Sequence, residues 1–135
     1  MNVQEYLPKD KFDEKNIPEL FSVSDDELKP VIPELLKWLQ DYNYPVAQKL
    51  LPYLQQREDL VFPYVSGILR SDDTMWKIWV MELLIPYFNH LHRNMLKEQI
   101  LTLTKLQIKN EDDAAIVDSA RSCYAVCFHE NTECP

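Results

Sequence analysis

The sequence predicts an all-α protein, a HEAT-like α-α superhelix of about six or seven helices. Three observations carry this expectation. Apolar residues recur at three-four spacing in one segment after another, and no segment alternates cleanly with period two. The chain has a single glycine, Gly67, whereas the tight turns of β-hairpins call for glycine. A pattern also repeats: Val31, Pro33, Leu35 and Leu39 align with Val61, Pro63, Val65 and Leu69, thirty residues on. The stretches that follow echo one another too, Leu50-Leu-Pro-Tyr53 against Leu84-Ile-Pro-Tyr87, and residues 68–73 more faintly against 108–113. One amphipathic helix pair cannot cover its own apolar face, so pairs of this kind stack.

The elements follow in order. Residues 1–12 read as an extended arm anchored by Tyr6, Leu7 and Phe12, and residues 13–21 as a short helix with Pro18 in its first turn. Ser24 with Glu27 three residues later is a capping box. Pro33 is placed to open the next helix, whose apolar face runs through Val31, Ile32, Leu35, Leu36, Trp38 and Leu39. After a turn at residues 41–44, Pro45 opens a helix through Val46, Ala47, Leu50, Leu51 and Leu54, which Pro52 bends or closes. Residues 55–59 read as a loop and 60–69 as a helix. Capped within residues 71–73, the segment 74–88 is apolar nearly all round and is expected to be the central buried helix. Residues 89–93 read as a break, 95–108 and 114–128 as two helices, the second capped within residues 110–113, and 129–135 as a flexible tail. Asp41, Asp72 and Asp112, one at each inter-helix turn, suit N-caps. The whole, residues 1–135, is expected to be one domain, long enough to bury about two-thirds of its unfolded surface.

Charge narrows the partners. The net charge is −8, and residues 1–30 carry four lysines against eight acids, while residues 110–135 carry one arginine against six. Phosphate binding rests on clustered Lys and Arg, so neither nucleic acid nor an anionic membrane is expected. A basic protein partner is compatible. The start of the chain lacks the basic-then-apolar pattern of a secretory signal, and the densest apolar run, residues 78–88, is too short to span a bilayer and contains Glu82. The protein is therefore expected in the cytoplasm, as a monomer or weak homodimer.

Three blocks, Tyr6-Leu-Pro-Lys-Asp-Lys-Phe-Asp13, Pro33-Glu-Leu-Leu-Lys-Trp-Leu-Gln-Asp41 with Asn43-Tyr-Pro-Val-Ala47, and Ser71-Asp-Asp-Thr-Met-Trp-Lys77, occur in the chain in this order. Together they resemble domain-of-unknown-function family 5071, from about Tyr6 to Phe88. The resemblance implies a small bacterial, all-helical, HEAT-like protein and assigns no activity. The family pattern has tryptophan where this chain has Tyr44; a flat aromatic is kept, an indole N–H is not. The C-terminal helix with its cysteines falls outside the resemblance.

The candidate site residues are Lys9, Asp10, Lys11 and Asp13 on the arm, Trp38, Asp41, Tyr42 and Tyr44 around the first inter-helix turn, and Asp72, Trp76 and Lys77 around a later one. Polar residues on an arm suggest a binding wall, and turn aromatics suggest interface anchors. The competing readings are capping by Asp10 or Asp13 and core packing by the tryptophans. Asp25-Asp26 and Asp72-Asp73 complement helix dipoles without further chemistry. His90 and His92 lack a third ligand nearby. Cys123, Cys127, His129 and Cys134 fit no zinc spacing. Free thiols are the default, since residues four apart on a helix hold their Cβ atoms too far apart for a disulfide; a Cys127–Cys134 bridge stays open. No metal and no cofactor are expected.

Glycine-rich phosphate cradles and nucleophile elbows are excluded by the one glycine, and no catalytic motif is present. The expected function is a non-catalytic helical-repeat module that binds a protein partner, with an immunity-type role against a toxin as its sharper form. The alternative is a small-molecule or enzymatic protein with a polar pocket between the arm and the Trp-rich turns, where Lys77 would hold an anion.

Overall fold

The computed structural model describes residues 3–128. Among them there is no strand, and the all-α class holds. Eight α-helical segments are present: α1 (Ile17–Leu20), α2 (Asp25–Leu28), α3 (Ile32–Leu36), α4 (Pro45–Gln55), α5 (Glu58–Leu69), α6 (Thr74–Leu83), α7 (His90–Thr104) and α8 (Glu111–Cys127). The chain divides into two compact units, residues 1–64 and 65–135, and α5 runs from the first into the second.

In the first unit the segments are short for a local reason. The arm expected to be extended begins instead with a 3-10 turn, Val3–Tyr6. Ser24 caps α2 as its box predicts: its Oγ accepts from the Glu27 N–H and donates to the Glu27 carboxylate, both at 3.2 Å. Pro30 and Pro33 then remove two donors from the i→i−4 ladder. The path from residue 25 to 41 stays helical but alternates, with 3-10 turns at Lys29–Val31 and Lys37–Asp41 on either side of α3. The core consists of Ile17, Leu20, Leu28, Ile32, Leu35, Leu36 and Leu39 with the inward face of α4, Val46, Ala47, Leu50 and Leu54.

Arg57, which no sequence motif marks, ties this unit together. Its Nη2 donates to the Phe21 carbonyl at 2.9 Å, its Nε lies 3.5 Å from the Asp25 carboxylate, and its guanidinium sits over the Phe21 ring, itself stacked on Tyr53.

In the second unit α8 packs on both α6 and α7. Its inward residues, Ile116, Val117, Ala120, Cys123 and Cys127, follow helical spacing. Ser119, also buried, donates to the Glu82 carboxylate on α6 at 2.7 Å. Gln99 on α7 accepts from the Ser66 hydroxyl and donates to the Ser66 carbonyl, each at 2.9 Å.

Several expectations are corrected. Asp73, not Asp72, caps α6, accepting from the Trp76 N–H at 3.0 Å. The cap of α8 falls within residues 110–113 as expected, but it is Asn110 rather than Asp112 that supplies it, accepting from the Asp113 N–H at 2.8 Å. α6 stops at Leu83 instead of reaching Phe88, because Pro86 disfavours α geometry in the residue before it; a 3-10 turn, Ile85–Tyr87, follows. The break at 89–93 is the start of α7: Asn89 caps it by accepting from the His92 N–H at 2.9 Å, so His90 and His92 lie in a helical first turn. The loop at 55–59 shrinks to residues 56–57. Pro52 and Pro63 lie inside α4 and α5 without ending them, both on solvent-exposed faces.

The thirty-residue pattern survives in burial but not in secondary structure. Val31, Leu35 and Leu39 are buried, as are Val61, Val65 and Leu69, yet the first set spans α3 and its flanking 3-10 turns while the second lies in one helix.

No described residue has a positive φ. Gly67 is exposed in α5, and a Cβ there would meet nothing within 4 Å. Gly67→Ala is therefore expected to raise stability by about 1 kcal/mol through helix propensity alone. A urea-unfolding midpoint that fails to rise would contradict this.

Candidate functional site

The arm turn and the first inter-helix turn come together in the first unit. Residues 9–13 are fixed by their own carboxylates: the Asp13 carboxylate accepts from the Lys9 N–H at 3.0 Å, and Asp10 accepts from the Phe12 N–H at 2.9 Å. Both carboxylates are thus spent on the turn itself, and neither caps the first helix, whose N-cap position is Asn16. The Val46 N–H donates to the Lys11 carbonyl at 3.1 Å, joining the arm to the first turn of α4. That N–H is one of the donors a helix start leaves unpaired, so the bond costs the helix nothing.

The second wall is the 3-10 turn Lys37–Asp41 and the residues after it. Asp41 accepts from the Asn43 N–H at 3.1 Å, an Asx turn, and Gln48 donates to the Tyr42 carbonyl at 3.2 Å. Pro45 then opens α4 with its φ already set.

Between these walls lies a groove of about 260 Å³ lined by Lys11, Lys37, Trp38, Gln40, Asp41, Tyr44 and Ala47. The Lys11 ammonium lies 3.9 Å above the centre of the Tyr44 ring, a cation–π contact, and the Phe12 ring meets Tyr44 edge-on at 5.5 Å. Phe12 is itself 61% exposed, so the expected anchor covers Tyr44 rather than entering the core. The groove is lined by two lysines and one aspartate around two half-buried aromatics. It can receive a small anionic or aromatic group.

Of the expected site residues, Lys11, Trp38, Asp41 and Tyr44 line this groove. Lys9, Asp10 and Asp13 support the turn that carries Lys11. Tyr42 is half-buried and contributes its carbonyl to Gln48. Asp72, Trp76 and Lys77 belong to the second unit, where Asp72 is exposed and Trp76 and Lys77 are half-buried at the start of α6. Lys37, Gln40 and Ala47 were missed. Their signal is spacing: Lys37 precedes Asp41 by four residues and Ala47 follows Tyr44 by three.

A second cluster lies in the second unit. Cys123 and Cys127 are free and buried, their sulfurs 3.9 Å apart. A hydrogen bond with Cys123 and, against the cost of burial, the charge of Arg93 hold the Cys127 thiol below its ordinary range, while the same shared hydrogen bond and burial push Cys123 up. His129 and Cys134 lie outside the described residues. Among the described residues no three His, Cys, Asp or Glu side chains group as metal ligands, and no helix is long and apolar enough to cross a membrane.

The fold and groove define a helical protein, without a strand among the described residues, that carries a small aromatic groove flanked by lysines. The chain belongs to the family described as domain of unknown function DUF5071, which it matches over residues 6–124. That match runs beyond Phe88 into α8 and includes Cys123, so most of the C-terminal helix is part of the family domain. No curated protein matches the chain.

Proposed function

We propose that the protein is a non-catalytic binding module whose groove receives a carboxylate-bearing segment of a protein partner. The observation that supports this most is the placement of Lys11: tied at its backbone to α4 and stacked on Tyr44, it faces a wall carrying Lys37, Trp38 and Asp41. A side chain held this way loses less freedom on binding than a free lysine. The partner's charge follows from the groove rather than from the whole chain. Although the chain totals −8, the groove side chains carry two positive charges against one negative. Charges beyond a Debye length of about 8 Å are screened, so the groove's own ammonium groups dominate at contact. This favours an acidic group over the basic partner expected from composition.

A binding role is supported over a catalytic one by the lining, which contains no Ser, His or Cys and whose one carboxylate is engaged by the Asn43 N–H.

A peptide array tests the reading. Peptides with Asp or Glu beside an aromatic or apolar residue are expected to bind best, and their affinity is expected to fall as salt rises. Trp38→Ala and Lys11→Ala are each expected to weaken binding about tenfold or more, the size of an interface hot spot. If both variants bind the same peptides as well as the parent does, the groove is not the site.

A further inference from the structure

We infer that Cys123 and Cys127 form a two-thiolate site for a soft monovalent metal ion of the Cu(I) type, with Arg93 balancing the charge of the complex. The first support is distance. Two metal–sulfur bonds of about 2.3 Å place their sulfurs about 3.8 Å apart at a tetrahedral angle and about 4.6 Å apart when collinear. The observed 3.9 Å, a thiol–thiol contact, lies at the bent end of that window, and side-chain rotation that parts the sulfurs by about 0.7 Å gives the collinear arrangement two-coordinate Cu(I) prefers. A disulfide, by contrast, needs an S–S separation of about 2.05 Å and closer Cβ atoms than helix residues four apart provide. The backbone thus holds the sulfurs at the spacing of a chelate and away from that of a bond.

The second support is charge. Both thiols are buried, so their protons must leave when a metal ion binds and the resulting charge must be balanced locally. Two thiolates and one monovalent cation carry −1 together. Arg93, on the neighbouring α7, sets its guanidinium against Cys127, and its buried Nε has no hydrogen-bond partner. A guanidinium with an unused buried donor suits an anionic complex. With a divalent ion the same set would carry an unbalanced positive charge. Thiolate pairs also select soft ions on chemical grounds. The balance is simple: the site takes up one Cu(I) and releases two protons, with no change of oxidation state.

Copper binding tests this on the full-length protein. Anaerobic titration with Cu(I) buffered by bicinchoninate is expected to transfer one ion per chain from the chromophore, with a near-ultraviolet thiolate-to-copper band. Cys123→Ser and Cys127→Ser are each expected to lower the affinity about a hundredfold or more. Arg93→Gln, which keeps both thiols, is expected to lower it about tenfold, the usual effect of an outer-shell partner. X-ray absorption of the copper-loaded parent gives a readout independent of variant folding: two sulfur neighbours are expected. Three sulfurs or an imidazole nitrogen would bring in Cys134 or His129 and overturn the two-thiolate assignment. So would failure to compete with bicinchoninate, or a Cys123–Cys127 disulfide in protein purified in air.

Discussion

Leu50→Ala is expected to destabilise the protein by about 3 kcal/mol and to lower its melting temperature by about 10 °C. Leu50 is fully buried at the middle of α4's inward face, between Val46, Ala47 and Leu54. Removing its three outer carbons loses their transfer free energy and leaves a cavity that close-packed neighbours fill only in part. Its chain neighbour Lys49 is exposed, so Lys49→Ala is expected to change stability by less than about 0.5 kcal/mol. Thermal melts of the two variants side by side check the expectation. Equal melting temperatures would mean that α4 does not face the core as described.

Pro52→Ala carries the opposite sign. Pro52 sits within α4, has no N–H to offer the Gln48 carbonyl, and lies on the exposed side. A proline in a helix interior costs about 3 kcal/mol relative to alanine. Against this, alanine restores about 1 kcal/mol of freedom to the unfolded chain. The expected net result is stabilisation by about 1–2 kcal/mol, read from chemical denaturation with an unchanged m-value. A loss of stability would mean that Pro52 itself is required by the packing of α4 against the 3-10 turn Lys37–Asp41.

The readable and unreadable parts of this fold separate by range. Features set within four residues were legible: the Ser24 box, Pro45 at the start of α4, and the three-four apolar faces of α3 and α4. Cap position was legible only to the neighbourhood, because Asp72 and Asp73 are chemically identical and only backbone geometry chooses between them. Prolines misled in both directions. Pro52 and Pro63 sit inside helices because burial on the opposite face outweighs one missing bond each, while Pro86 ends α6 earlier than its apolar run suggests. The groove was half legible. Trp38, Asp41 and Tyr44 were marked by their turn, and Lys11 by its place on the arm. What brings Lys11 to them is the bond from the Val46 N–H to its carbonyl, which spans 35 residues and leaves no trace in the local pattern. Arg57 was invisible for the same reason: its partners, Phe21 and Asp25, lie more than thirty positions away.

A backbone on which every described residue keeps a negative φ has no corner reserved for an achiral building block. Each bend between helices is open on steric grounds to any ordinary L-amino acid, so drift along these connections meets no chirality barrier. Relatives can therefore diverge widely in their linkers while tracing the same path, and a recoded version of the chain with no glycine at all is expected to fold.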